Sequence, residues 1–509
     1  MTGSPYSGAA LRRSGLHFLT GRAVSGLLSF AVLLTLVRVL PARDYGVYAT
    51  LLAWLELSVA IAGLGIPWIG SRFVPEYRLY ASGVQLGRFC RRLLSWVGAS
   101  LALTVIVMGA ILPLYLQQAG LDAYVPVALL YLVAILADGW TRLATSSVLD
   151  PLMQQKLVRS VLALRQACSL GGLLALIAMQ PAVSLMQVVI VEAVAAALGL
   201  AVLFFGLRRH LAVPLERDGS DDWTEPATKS MWRAGLQMYG SHLFTLLYSP
   251  QLLITLVTRI LGAEAAAVFG FLRALHDQVA KYLPATLLFS LLRPRLVAGY
   301  MTSRDAGELN RSANLAGKIS LFVLMPLIAF IAVAGEPLVG WLSGGRLPDT
   351  GWLLLGFALA LIPLSQRQLL ETVAVATGHS RLCLLASAAG ILVLPVFLGG
   401  IAAGFALWSA VAAVGFGQLL FNGTVVAGLK RVIGYRIDVG GALKLGLGSA
   451  LACVVGTLVP VHGLESMPLS LGAQATVVLA TFLAAALWIQ PFDRVERARL
   501  NGFLKRRVV

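Results

Sequence analysis

Residues 158–206 read VRSVLALRQACSLGGLLALIAM, then QPAV, then SLMQVVIVEAVAAALGLAVLFFG. Each of the two apolar runs exceeds the roughly 20 residues a helix needs to cross a bilayer. Only four residues, opening on Gln180-Pro181, join them. Without water to satisfy the backbone, such a pair reads as a helix hairpin rather than as strands. The runs are not wholly apolar: Arg159, Arg165 and Glu192 interrupt them. The fold is thus read as polytopic and all-α.

Working outward, the pattern repeats along the whole chain. Hydrophobic residues make up 58% of it and charged residues 12%, where a soluble domain carries about 25% charged. About fourteen spans are expected, near 16–38, 46–69, 93–116, 124–148, 158–179, 184–206, 233–258, 264–292, 313–334, 351–376, 382–400, 403–427, 444–460 and 471–489. The first is expected to be retained rather than cleaved. Arg22 lies inside it, and no small-residue cleavage site follows. Cys90, Cys168, Cys383 and Cys453 have no paired spacing, which excludes a thiolate metal centre or disulfide framework.

The net charge of +17 is a matter of distribution. With both termini placed inside, thirty Lys and Arg fall in or at the edges of cytoplasmic segments and three (Arg43, Arg259, Arg346) in outer loops. This is the positive-inside bias, which sets orientation, and it removes nucleic acid as a partner. The longest inner segment, 207–232, is polar and mixed in sign and reads as a linker. Outer loops are too short to hold an extracytoplasmic catalytic domain.

An internal repeat supports two halves. At an offset of 221 residues, Arg38 falls on Arg259, Leu40 on Leu261, Ala42 on Ala263, Val47 on Val268 and Tyr48 on Phe269. The reading is a six-helix bundle over 1–206, the linker 207–232, a second six-helix bundle over 233–427, and two further spans with a basic tail over 428–509. Six spans separate the repeats, so the bundles share an orientation and are related by an axis along the membrane normal. That design suits alternating access around a midplane site.

Ionisable groups in spans cost about 2.5–3.5 kcal/mol each on insertion scales and mark wet cavities or partners. Asp138/Arg142 and Arg367/Glu371 are spaced i,i+4 and can neutralise themselves along one helix face. In the eighth span Arg273, Asp277 and Lys281 form a ladder in steps of four, with His276 beside it. Arg22 has no acid one turn away. Surplus cations in a dry cavity suit an anion, and arginine's planar fork suits a diphosphate. Arg273, Arg22 and Lys281 are therefore the expected phosphate ligands. His276, Asp277, Asp138, Arg142, Arg367 and Glu371 are the expected charge network around the cavity. Glu56 and Glu192, without a sequence-local base, are the candidates for ion coupling. No catalytic constellation, metal cluster or cofactor motif occurs, so a transporter rather than an enzyme is expected.

The first hairpin, Arg38-Val39-Leu40-Pro41-Ala42-Arg43-Asp44-Tyr45-Gly46-Val47-Tyr48, resembles that of polysaccharide-type flippases of the multidrug/oligosaccharidyl-lipid/polysaccharide exporter superfamily. Gly63-Leu64-Gly65 with Arg72-Phe73-Val74-Pro75-Glu76-Tyr77 is similar to the same family's second-span exit, and Gly378-His379-Ser380-Arg381 to a later turn. Pro294, Tyr300 and Leu309 look like its first long loop in the second half. The resemblance implies outward movement of undecaprenyl-diphosphate-linked oligosaccharide repeat units for exopolysaccharide or O-antigen synthesis. It also implies a bacterial inner membrane, with membrane lipids and polysaccharide polymerase or assembly proteins as partners. A multidrug or cation antiporter of the same superfamily is the alternative. A polysaccharide polymerase or ligase is the alternative of another class.

Overall fold

The computed structural model describes residues 8–180, 182–212, 223–246, 248–287, 300, 305–459 and 466–504. It forms two compact units, Met1–Gly270 and Phe271–Val509. Among the described residues there are helices and turns and no strand, as a chain that must close its backbone hydrogen bonds without water requires.

The first unit holds α1 (Gly8–Val39), α2 (Ala42–Ala62), α3 (Ile66–Tyr80), α4 (Gly83–Gln118), α5 (Val125–Ala144), α6 (Gln155–Met179), α7 (Leu185–Ala212), α8 (Thr228–Leu246), α9 (Pro250–Leu261) and the first turns of α10 (Ala263–Tyr282). The second unit takes the rest of α10, then α11 (Pro284–Leu287), α12 (Ala306–Ser343), α13 (Gly351–Ala376), α14 (Arg381–Ala389), α15 (Val393–Ala402), α16 (Leu407–Ile433), α17 (Val439–Leu458), α18 (Met467–Ile489) and α19 (Arg494–Leu504). Twelve helices among the described residues are long and apolar enough to cross a membrane, so the chain is an integral membrane protein. The expected fourteen spans also include α1, whose described apolar stretch Ala23–Val39 is shorter, and the charged α10.

Local chemistry explains where helices begin and where the expected spans break. Ser82 caps α4 in a reciprocal box: its hydroxyl accepts from the Gln85 amide at 3.3 Å, and Gln85 Oε1 accepts from the Ser82 amide at 2.9 Å. The span expected over 46–69 ends early, at Ala62, because Leu64 (φ 44°) and Gly65 (φ 81°) turn the chain left-handed before α3. Gly65 is obligatory twice over, since a Cβ there would meet the Gly235 carbonyl oxygen of α8 at 2.4 Å. The span expected over 233–258 is two helices. Pro250 has no amide to continue α8, and Ser249 caps α9 by accepting from Leu252 N at 3.2 Å. Within the span expected over 264–292, α10 stops at Tyr282, just before Pro284, and residues 288–292 lie outside the described residues. The repeat-matched Ala42 and Ala263 each begin a helix, α2 and α10.

Within the first unit α5 packs against α4 and α7, and α6 against α1 and α7. α9 lies on α2, where the Thr50 and Thr258 hydroxyls meet at 2.7 Å. In the second unit α12 packs on α13, α17 and α18, and α16 covers α13. Past its end α5 widens into a π-turn, Thr145–Leu149, where the Asp150 amide reaches back to Thr145 O at 2.9 Å. α3 lies directly on this turn: a Cβ at Gly70 would stand 1.9 Å from the Ser147 carbonyl oxygen. Gly70→Ala is expected to lower stability by about 2 kcal/mol, the usual scale of overpacking, read as a fall in melting temperature in detergent. Gly171→Ala, with nothing within 4 Å, serves as the control. Equal melting temperatures for the two variants would contradict a tight α3 contact.

Candidate functional site

The charged residues of the spans gather into separate clusters. In the first unit Asp138, on α5, is 1% exposed. It accepts from Arg142 Nε one turn on, at 2.7 Å, as its spacing predicts. It also faces Arg165 of α6, whose Nη1 lies 3.2 Å away. Arg165 bridges onward to Glu192 of α7 at 3.3 Å, and the Ser169 hydroxyl donates to the same carboxylate. Two arginines thus balance two acids across three helices. Sequence reading missed this chain, because Arg165 lies 27 residues from each partner and no local period links them. Buried Tyr48 and Tyr131 belong to the same unit. Glu56 on α2 accepts from Gln251 Nε2 of α9 at 2.9 Å.

In the second unit the ladder on α10 is assembled as expected at its centre. Arg273 is 8% exposed, and its Nε lies 3.4 Å from Asp277 Oδ2. His276 Nδ1 meets the other oxygen of Asp277 at 3.1 Å, and the His276 ring stands 5.7 Å from that of Phe357 on α13. The Asp277 side chain is 40% exposed, whereas that of Arg273 is buried. Lys281 occupies the exposed last turn of the same helix. Arg22 falls on α1 with its side chain outside the described residues, as does Pro294 altogether.

Farther along α13, Arg367 Nε pairs with Glu371 at 3.0 Å, and its guanidinium lies 4.0 Å from the Phe421 ring centroid of α16. Its Nη1 donates to Gln418 Oε1 at 3.3 Å. Ten residues separate Phe357 from Arg367, or roughly 15 Å along a helix, so this pair and the α10 ladder sit at different levels. A further cluster went unread in sequence. Lys318 of α12 is held by Asp438 at 2.5 Å and by Glu496 of α19 at 2.6 Å. Asp438 lies just outside α17. Burial raises its carboxyl, but the Lys318 ammonium and the Gly441 amide outweigh that and hold it below the usual carboxylate range. Arg499 of α19 also approaches Glu308 at 3.8 Å, fastening the tail helix to the start of α12.

These clusters bear on the competing readings. A cation exporter needs acids accessible to its cargo, whereas Asp138, Glu192 and Glu371 are each matched by an arginine. No group of three metal-ligating side chains occurs among the described residues.

The profile of the polysaccharide biosynthesis protein family matches residues 11–331. The chain belongs to that family. The match covers both the Arg38–Tyr48 hairpin and the α10 ladder, so the resemblance seen in the hairpin holds for the family. Among solved structures the chain is similar to the lipid II flippase MurJ in an inward closed conformation (12% identity, TM-score 0.66, covering 93% of this chain and 98% of that one). It is also similar to an inward-facing multidrug resistance MATE transporter of the MOP superfamily (13%, 0.62, 83% and 98%). A MATE transporter in a straight conformation follows (17%, 0.54, 83% and 95%). No curated protein matches by sequence. At these identities the structures establish the fold alone, an all-helical fold like that of MurJ and the MATE transporters. The family and these neighbours are flippases and transporters.

Proposed function

We propose that this protein flips undecaprenyl-diphosphate-linked oligosaccharide from the cytoplasmic to the outer face of a bacterial inner membrane. The observation that carries the reading is the α10 ladder: buried Arg273, held by Asp277, whose other oxygen meets His276, within a polysaccharide-biosynthesis family chain. A guanidinium kept in a span at such cost is ready to exchange its internal carboxylate for a phosphate. In this reading Arg273 grips the diphosphate, Arg22 and Lys281 assist, and the remaining paired groups line or brace the cavity. The two six-helix bundles, 1–206 and 233–427, joined by the linker 207–232, rock against each other around a midplane site. The prenyl tail stays in lipid against the exposed stripe Leu443, Leu447, Val454 and Leu458 of α17. A polymerase on the outer face then receives the repeat unit. The deciding experiment is complementation of a strain lacking its own oligosaccharide flippase. Restored surface polysaccharide supports the reading. Restored drug resistance with no polysaccharide transfers it to the antiporter class.

The same reading places both termini and the 207–232 linker in the cytoplasm, from thirty basic residues against three. Reporter fusions at residues 120, 220, 345 and 509 are expected to register outside, inside, outside and inside. One reversal among the four overturns the fourteen-span topology.

A further inference from the structure

We infer that the first unit carries a binding site for an anionic phospholipid of the cytoplasmic leaflet, distinct from the α10 ladder. α5 lies between α4 and α7, and two adjoining hollows of about 580 Å³ each run along this side of the unit. Trp140 and Phe204 line both, so the hollows form one trough.

Its two halves differ in chemistry. The upper half is lined by Arg91 and Ser95 at the start of α4 and by Arg208 near the end of α7. Both arginines are exposed, and among the described residues neither has an ion-pair or hydrogen-bond partner. Trp140 adds a further donor. Position 98 carries no side chain, and the nearest atom to a Cβ there would be Trp140 Nε1, at 3.5 Å. The indole edge therefore stays open. The lower half is apolar, lined by Leu136, Ala197, Leu200, Ala201 and Phe205, with Phe205 68% exposed.

Dimensions and charge select the occupant. Eleven residues of α7 separate Arg208 from Ala197, about 16 Å at helical rise. That is about half the ~30 Å hydrocarbon thickness of a bilayer. A trough of this length accommodates acyl chains of one leaflet, with the two guanidinium groups and the indole N–H at head-group height. Tryptophan belongs at that depth, and two arginines favour a phosphodiester with net negative charge over a zwitterion. A long prenyl tail would overrun the trough. Arg91 and Arg208 are thus more than topological charge: they form a head-group clamp.

The test uses the full-length protein in detergent, loaded with phosphatidylglycerol or phosphatidylcholine and read by native mass spectrometry. Phosphatidylglycerol is expected to be retained at least fivefold over phosphatidylcholine. Arg91→Gln with Arg208→Gln is expected to lower its retention about thirtyfold, the scale of two basic contacts with an anionic lipid. Ala201→Trp fills the apolar half and should lower retention while both arginines remain. Melting temperatures without lipid verify that each variant is folded, and a variant that fails this check is replaced by Phe205→Ala, which widens the apolar half and must also weaken retention. Equal retention of the two lipids, or full retention by the double variant, overturns the site. So does displacement of phosphatidylglycerol by inorganic phosphate or by equimolar undecaprenyl diphosphate, which would assign the arginines to a bare anion or to the transported substrate.

Discussion

Arg273→Ala is expected to cut transport at least tenfold while the protein still inserts and accumulates. A charge-assisted bidentate contact to phosphate in a dry setting contributes about 2–3 kcal/mol, and 1.4 kcal/mol is already a factor of ten. Accumulation survives because Asp277 keeps His276 at 3.1 Å and is itself 40% exposed. The loss therefore strands no fully buried carboxylate. Arg273→Lys should recover only part of the activity, since an ammonium keeps the charge but loses the planar fork. The rival account makes Arg273 a mere counter-ion for Asp277, and under it Arg273→Ala with Asp277→Ala restores transport. Complementation of a flippase-deficient strain, normalised to protein level, separates the accounts. Full rescue by the double variant removes the phosphate-binding role.

Arg165→Leu acts on stability instead. Arg165 joins Asp138 at 3.2 Å to Glu192 at 3.3 Å. Without it Asp138 retains Arg142, but Glu192, 5% exposed, keeps only the Ser169 hydroxyl among its described partners. Removing one member of a buried pair costs about 3–5 kcal/mol, whereas replacing both members by apolar groups is often close to neutral. The single variant is therefore expected to accumulate poorly and to melt well below the parent protein. Arg165→Leu with Glu192→Leu is expected to regain most of the loss. If the double variant melts no higher than the single, the pair contributes nothing as a pair and the network has another purpose.

What sequence disclosed follows the range of each interaction. Apolar length and charge bias are local sums, so the spans and the orientation reading came from composition alone. The pairs Asp138/Arg142, Arg273/Asp277 and Arg367/Glu371 are one helical turn apart, and all three are formed. Helix breaks were readable in principle at Pro250 and Pro284, yet hydropathy runs across both and hid them. Three-dimensional partners stayed out of reach. Arg165 has no acid one turn away along α6 and Glu192 reads as a candidate coupling acid, and their meeting depends on how α6 and α7 pack. Lys318, inside the expected span 313–334, has no acid one turn away; its partners are Asp438 and, 178 residues on from Lys318, Glu496.

The chain Arg142–Asp138–Arg165–Glu192 also bears on how the protein is made. Ribosomes deliver α5 first, and its acid arrives with a neutralising arginine on the same helix face. α6 then brings a cation whose counter-charge is already in the bilayer, and α7 brings an acid that finds Arg165 waiting. Each newcomer is discharged by a neighbour synthesised before it or with it. The order in which these residues occur along the gene is therefore also a workable order of entry into the membrane, and a circular permutation that released α7 ahead of α6 would expose Glu192 to lipid with nothing to meet it.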